Sequence, residues 1–88
     1  MFDGRLETFI KVAECGSFTK AADDLYITPT AVMKQINALE RELSVTLFDR
    51  TNHGLRITKA GESFLQDALY IVEYISRAEQ RARDIHEG

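Results

Sequence analysis

The sequence lacks the materials for several kinds of protein. Its single cysteine, Cys15, excludes an internal disulfide and makes a reducing cytoplasm the simplest setting. No apolar run approaches the ~18 residues that a membrane span needs. The N-terminal stretch MFDGRLETF has no basic region leading into an apolar one, so no signal peptide is expected. There is no repeat, no low-complexity segment and no Pro/Gly-rich linker; the one proline is Pro29. No glycine-rich phosphate loop and no nucleophile–base pairing is present, so an enzyme is not expected. His53 and His86 stand far apart without companion cysteine or carboxylate ligands, which argues against a metal site. Positive charge is also scarce: 11 Lys and Arg face 14 Asp and Glu, a net charge of -3. That total argues against a nucleic-acid partner. Its distribution weakens the objection, because residues 17–59 sum to +1 while residues 60–88 sum to -3 and residues 1–16 to -1.

What is present is a short chain with a strong helical pattern. Its 88 residues, 44% hydrophobic, are enough for one folded domain with a modest core. Leu6, Phe9, Ile10 and Ala13 recur at one-face helical spacing and predict a helix over about 3–14, with Gly16 as its stop. A second helix is expected over 18–25, capped by Ser17 or Thr19, with Phe18, Ala21, Ala22 and Leu25 inward. The turn Tyr26-Ile27 follows, without the glycine that many helix-turn-helix turns contain. Thr28 then offers an N-cap and Pro29 suits the first helical position. Val32, Ile36, Leu39 and Leu43 form the inner face of that third helix, about 29–42, and Thr30, Met33, Lys34, Asn37 and Arg41 the outer one.

Leu47–Arg50 and Leu55–Thr58 read as two short strands joined by the turn residues Thr51, Asn52, His53 and Gly54. Thr58 caps a last helix over about 59–86. Phe64, Ala68, Ile71, Ile75, Ala78, Ala82 and Ile85 alternate at spacings of four and three there, a heptad seam. Leu65, Leu69 and Val72 add a second stripe. One stripe can cover the domain and leave the other for a partner. The expected class is therefore mainly α, with three helices plus a small β-hairpin wing followed by a long linker helix. The division is a winged helix-turn-helix domain over 1–59 and a linker, or dimerisation, helix over 60–88.

A helix pair followed by a wing is a geometry for reading a duplex, because a helix fits the major groove. Lys34 can bond guanine acceptors or a phosphate, and Asn37 adenine or the backbone. Met33 and Thr30 can touch a thymine methyl. A plain solvated helix face has the same periodicity, so spacing alone leaves both readings open.

Three segments, LETFIKVAECGSFTKAADDLYIT, AVMKQINALERELSVTLFDRT and LRITKAGESFL, resemble the N-terminal domain of LysR-type transcriptional regulators. The resemblance runs from Leu6 to about Ile71. It implies a winged helix-turn-helix with its motif at 18–37, a third helix that reads double-stranded DNA, and a last helix that pairs antiparallel in a homodimer. An interrupted palindrome is the implied target. Carried over by residue, Thr28, Pro29, Thr30, Met33, Lys34 and Asn37 belong to the recognition helix. Ser17, Thr19, Lys20 and Arg50 match backbone-contacting positions. Thr51, Asn52, His53, Gly54 and Arg56 belong to the wing, which reaches toward the backbone and minor groove. Phe64, Ala68, Ile71, Ile75, Ala78 and Ala82 are the expected dimer seam.

This chain departs from the pattern where Pro29-Thr30 replaces Gln-Pro and Met33 replaces serine. Both are outward positions that bear on base preference more than on fold. The resemblance also implies a further ligand-binding domain in proteins of this kind, with a hinge near Gly88. A small-molecule effector is expected there, and no cofactor in this segment; a tetramer is open to the full-length protein. The rival expectation is a dimerising protein-interaction module that keeps the fold without binding DNA. Cys15 reads as a small core hydrophobe. Glu40 and Glu42 read as a solvated face or a helix pairing.

Overall fold

The computed structural model describes residues 4–88. It contains α1 (Arg5–Cys15), α2 (Phe18–Leu25), α3 (Pro29–Leu43), β1 (Phe48–Thr51), β2 (Gly54–Ile57) and α4 (Lys59–Glu87). The expected start of the first helix at residue 3 lies outside the described residues. The helix ends are set by local chemistry. Gly16 closes α1, its N–H donating to Val12 O at 2.8 Å. Ser17 caps α2, its Oγ accepting from Lys20 N at 3.3 Å. Thr28 caps α3 through Ala31 N at 3.1 Å, with Pro29 at the first helical position, where its missing N–H costs nothing. Thr58 caps α4 through Gly61 N at 2.9 Å.

The turn between α2 and α3 manages without glycine because Tyr26 itself takes the left-handed conformation, φ 58°. Its N–H and that of Ile27 then satisfy carbonyls of the last turn of α2.

The hairpin pairs Phe48 with Ile57 and Thr51 with Gly54 in antiparallel register. Both strands are displaced by one residue from the sequence expectation, Leu47–Arg50 and Leu55–Thr58. The cause is that the next pair in register, Leu47 and Thr58, keeps only one cross-strand bond, because the Leu47 N–H is taken by Glu40. Leu47 N donates to the Glu40 carboxylate at 2.7 Å, and Thr58 N donates to Leu47 O at 2.9 Å. At the tip, Asn52 and His53 keep negative φ, and the positive φ that reverses the chain falls on Gly54 (111°).

The core gathers Leu6, Phe9 and Val12 of α1, Ala21 and Ala22 of α2, and Val32, Ile36 and Leu39 of α3, closed by Leu47, Phe48 and Ala68. Phe9 sits at its centre, its ring 5.4 Å from Phe48 and 5.3 Å from Phe64. Thr8, buried among these residues, donates its hydroxyl to Gln35 Oε1 at 2.6 Å, tying α1 to α3. The domain and the long helix, divided at residue 59/60 in the sequence reading, share this core. Phe64, Leu65 and Val72 pack against it and Ala68 is fully buried in it. Phe64 and Ala68 were expected in the pairing seam; that assignment is corrected, since both are spent on the chain's own interior. Beyond Val72 only Ile75 is partly covered, and the helix runs on exposed, giving the molecule its 55 Å length.

Gly61 is where α4 comes closest to the body. A Cβ there would collide with Leu47 O and lie 2.7 Å from Ile57 Cγ1. Leu47 O is held by the Thr58 N–H and approached by the Thr58 hydroxyl at 3.2 Å, so it cannot yield cheaply. Gly61→Ala is expected to destabilise by about 1–3 kcal/mol through overpacking, outweighing the ~1 kcal/mol that alanine gains in helix propensity. Urea unfolding checks this; a midpoint equal to or above wild type would show that α4 lifts off the hairpin without penalty.

Candidate nucleic-acid interface

Sequence places an N-cap, a proline and a run of polar residues at the start of α3, and the fold turns them outward. Thr28, Pro29, Thr30, Met33 and Lys34 are all exposed, while Val32, Ile36 and Leu39 on the opposite face are fully buried. The exposed α3 surface is thus a direct consequence of its 3.6-residue period. Thr28 is exposed, but its hydroxyl is engaged in capping, as is that of Ser17. Thr19 and Lys20 stand exposed in the first turn of α2.

A cleft of about 360 Å³ joins three of these elements. Gly16, Ser17, Phe18 and Thr19 form one wall, Met33 the second, and Arg50, Thr51, Gly54 and Leu55 of the hairpin the third. Residues singled out from separate stretches of sequence therefore meet at one place. Asn52, His53 and Arg56 are exposed on the hairpin outside that cleft, and Lys20 and Lys34 flank it without lining it. Met33 is 38% exposed, so it faces out while resting one side on the cleft.

Arg50 was expected to face a phosphate. In the fold it reaches back onto the chain itself. Its Nη2 donates to Asn37 Oδ1 at 2.6 Å and lies 3.8 Å from Glu40 Oε1, and the guanidinium sits 5.2 Å from the centre of the Phe18 ring. Three contacts on two helices fix one side chain.

Glu40 was missed by sequence reasoning. It is half-buried, and its Oε2 accepts from the N–H groups of Leu47 (2.7 Å) and Phe48 (3.2 Å). It therefore holds the start of the hairpin against α3, which a solvated glutamate does not do. An acid one turn beyond Asn37, just ahead of a short loop into a strand, is the signal that could have found it. Glu42 pairs across to Arg5 at 3.2 Å.

Cys15 is half-buried against the core, with its thiol 3.6 Å from Asp24 Oδ2. Desolvation, then the hydrogen bond to Asp24 and its negative charge, raise the thiol pKa above the ordinary value. Less thiolate is present at neutral pH, so Cys15 is expected to alkylate more slowly than free cysteine, with the gap narrowing as pH rises. A pH series with iodoacetamide checks this; a rate matching or exceeding free cysteine at pH 7 would contradict it. Among the described residues no group of three or more His, Cys, Asp or Glu is placed to hold a metal ion, and no helix is long and apolar enough to cross a membrane.

The model of the bacterial regulatory helix-turn-helix proteins of the lysR family matches residues 4–62. The transcriptional regulator TfdT of Cupriavidus pinatubonensis is 37% identical over 84 residues, 96% of this chain and 37% of its own length. The regulator ClcR of Pseudomonas putida is 46% identical over 81 residues, 89% of this chain and 27% of its own. The chain thus spans well under half the length of these curated relatives. The solved CbnR DBD–DNA complex superposes with a TM-score of 0.89 at 38% identity, covering 92% of this chain and 93% of that one. The BenM DBD bound to catB site 1 DNA gives 0.90 at 33% identity, covering 96% and 94%. With the family model matching residues 4–62, well over half of the chain, the chain belongs to the LysR family of bacterial regulatory helix-turn-helix proteins.

Proposed function

We propose that this segment binds duplex DNA sequence-specifically, as a homodimer, and serves a cytoplasmic bacterial transcription regulator rather than an enzyme. The observation that carries the reading is the outward face of α3 lying beside the cleft shared by the α2 N-terminus and the hairpin. A helix presented this way enters the major groove, and the hairpin tip then lies toward the backbone and the minor groove. Lys34, Thr30 and Met33 are the base-facing candidates, and Thr19, Lys20 and the exposed tip residues the backbone ones. Solved complexes of the similar CbnR and BenM domains with DNA support duplex DNA as the partner. Two copies joined through the free part of α4 would read an interrupted palindrome, with Ile71, Ile75, Ala78 and Ala82 in the joint. A small-molecule effector belongs to the part of such regulators that this chain does not span.

The chain's net charge makes the test informative, because binding must come from a local cationic surface and not from bulk charge. Fluorescence anisotropy with duplex from a random pool is expected to show binding at low salt. Log K should then fall linearly with log salt, by about 0.9 units per phosphate neutralised. Absence of binding at low salt would favour a protein-interaction module on the same fold. Binding indifferent to salt would contradict the assigned backbone contacts.

A further inference from the structure

An asparagine reads adenine through two bonds at once: its Nδ2–H donates to N7 and its Oδ1 accepts from the N6 amino group. Both amide ends must be available. Asn37 has only one that is unengaged. Its Oδ1 accepts from Arg50 Nη2 at 2.6 Å. The assignment of amide ends follows from chemistry, since a guanidinium has donors only and its partner must be the oxygen. The other end is open. Every fully buried side-chain nitrogen or oxygen among the described residues has a hydrogen-bond partner, and Asn37 Nδ2 makes no such bond, so it meets solvent. It lies one turn beyond Lys34 and Met33 and two turns beyond Thr30, on the same side of α3.

The arrangement is held from behind. Glu40 Oε1 stands 3.8 Å from the same Arg50 nitrogen, and Glu40 Oε2 is anchored by the N–H groups of Leu47 and Phe48. The Phe18 ring supports the guanidinium, at 5.2 Å from its centroid. Releasing Asn37 Oδ1 would require Arg50 to leave the set of groups that fix it.

We propose that Arg50 is a positioning residue that, by holding Asn37 Oδ1, turns the Nδ2 donor toward the base, so that the chain favours guanine over adenine at the base pair beneath Asn37. Guanine carries two acceptors, O6 and N7, on its major-groove edge. Adenine there would have to bring its N6 donor to the second lone pair of an oxygen already bonded to the Arg50 guanidinium, beside that positive charge. This rests on the DNA-binding reading above.

Two variants separate the possibilities, each selected against a random duplex pool after its helical content is confirmed by circular dichroism. Wild type is expected to select guanine at one position, with adenine disfavoured there by roughly 5- to 150-fold, the range of one bidentate contact. Arg50→Met keeps length and cover over Phe18 but donates nothing; Asn37 Oδ1 is freed, and that same position should turn to adenine. Asn37→Asp keeps an acceptor for Arg50 but presents an oxygen outward; the position should turn to cytosine, whose N4 amino group donates. A residue with a merely structural role would not move one base preference in two directions. If wild type and both variants bind and select identical sites, or if wild type already selects adenine where Asn37→Asp alters the choice, the inference is overturned while DNA binding stands. If wild type binds no duplex at all, the DNA-binding reading fails and takes the inference with it.

Discussion

Phe9→Ala is expected to remove about 3–5 kcal/mol of stability, the usual cost of deleting a fully buried phenylalanine. Phe9 has no exposed surface, and its ring meets Phe48 from the hairpin and Phe64 from α4 at 5.4 and 5.3 Å. Among the described residues it is the one ring that ties α1, β1 and α4 together. Neither neighbour can follow it into the hole. Phe48 is fixed by its strand pairing to Ile57 and by the Glu40 carboxylate at its N–H, and Phe64 by the cap of α4 at Thr58. Domains of this size hold only about 0.05–0.15 kcal/mol per residue, so the loss consumes a large share of the total. The expected drop in melting temperature is ~12–40 °C. A circular dichroism melt at fixed chain concentration checks it, concentration being held because pairing would add its own stabilisation. A shift under about 5 °C would mean that the three elements do not depend on this ring.

Much of this was legible in the sequence, for identifiable reasons. The start of α3 was readable because Thr28 and Pro29 are local signals whose chemistry needs no tertiary context. The same holds for the Thr58 cap and for the Val32, Ile36 and Leu39 face, all three of them fully buried. The α1 face was read less well. Ile10 and Ala13 were expected inward, yet Val12 is fully buried and they are only partly so. A helix contacted by three other elements has a wide covered arc, and a narrow stripe underestimates it. The outward faces were readable as faces but not as networks. That Arg50 would turn back onto Asn37, Glu40 and Phe18 depends on how closely the hairpin approaches α3, which no spacing along the chain encodes. The stripes of α4 failed for a third reason. A heptad seam and a domain-covering stripe have nearly the same period, 3.5 against 3.6 residues. Phe64 and Ala68 satisfied both patterns, and only their burial against Phe9 and its neighbours shows which one uses them.

That redistribution sharpens where the proposed pairing must occur. With Phe64 and Ala68 consumed and Ile75 partly covered beside Leu6 and Val72, the apolar surface left on α4 is carried by Leu69, Tyr70, Ile71, Tyr74 and Ile85, exposed by 38–81%. A helix of 29 residues is about 44 Å long, and past Ile75 every residue of it is exposed among the described residues. Ile71 stands near the junction, an exposed seam position one turn before Ile75, the last one that the body partly covers. Ile71→Glu is therefore expected to abolish dimer formation at micromolar concentration, because a carboxylate cannot be desolvated in an apolar seam without a partner. The core is untouched, so the monomer should keep its fold. Losing the second copy removes the intramolecular advantage of a two-half site, and affinity for a full palindrome should fall by about 10²–10⁴-fold while affinity for an isolated half-site stays the same. Sedimentation velocity and anisotropy on full-site and half-site duplexes read the two effects separately. If Ile71→Glu sediments with the same mass as wild type, the pairing surface lies elsewhere. If it is monomeric yet binds the full site as tightly as before, dimerisation is not what couples the two half-sites.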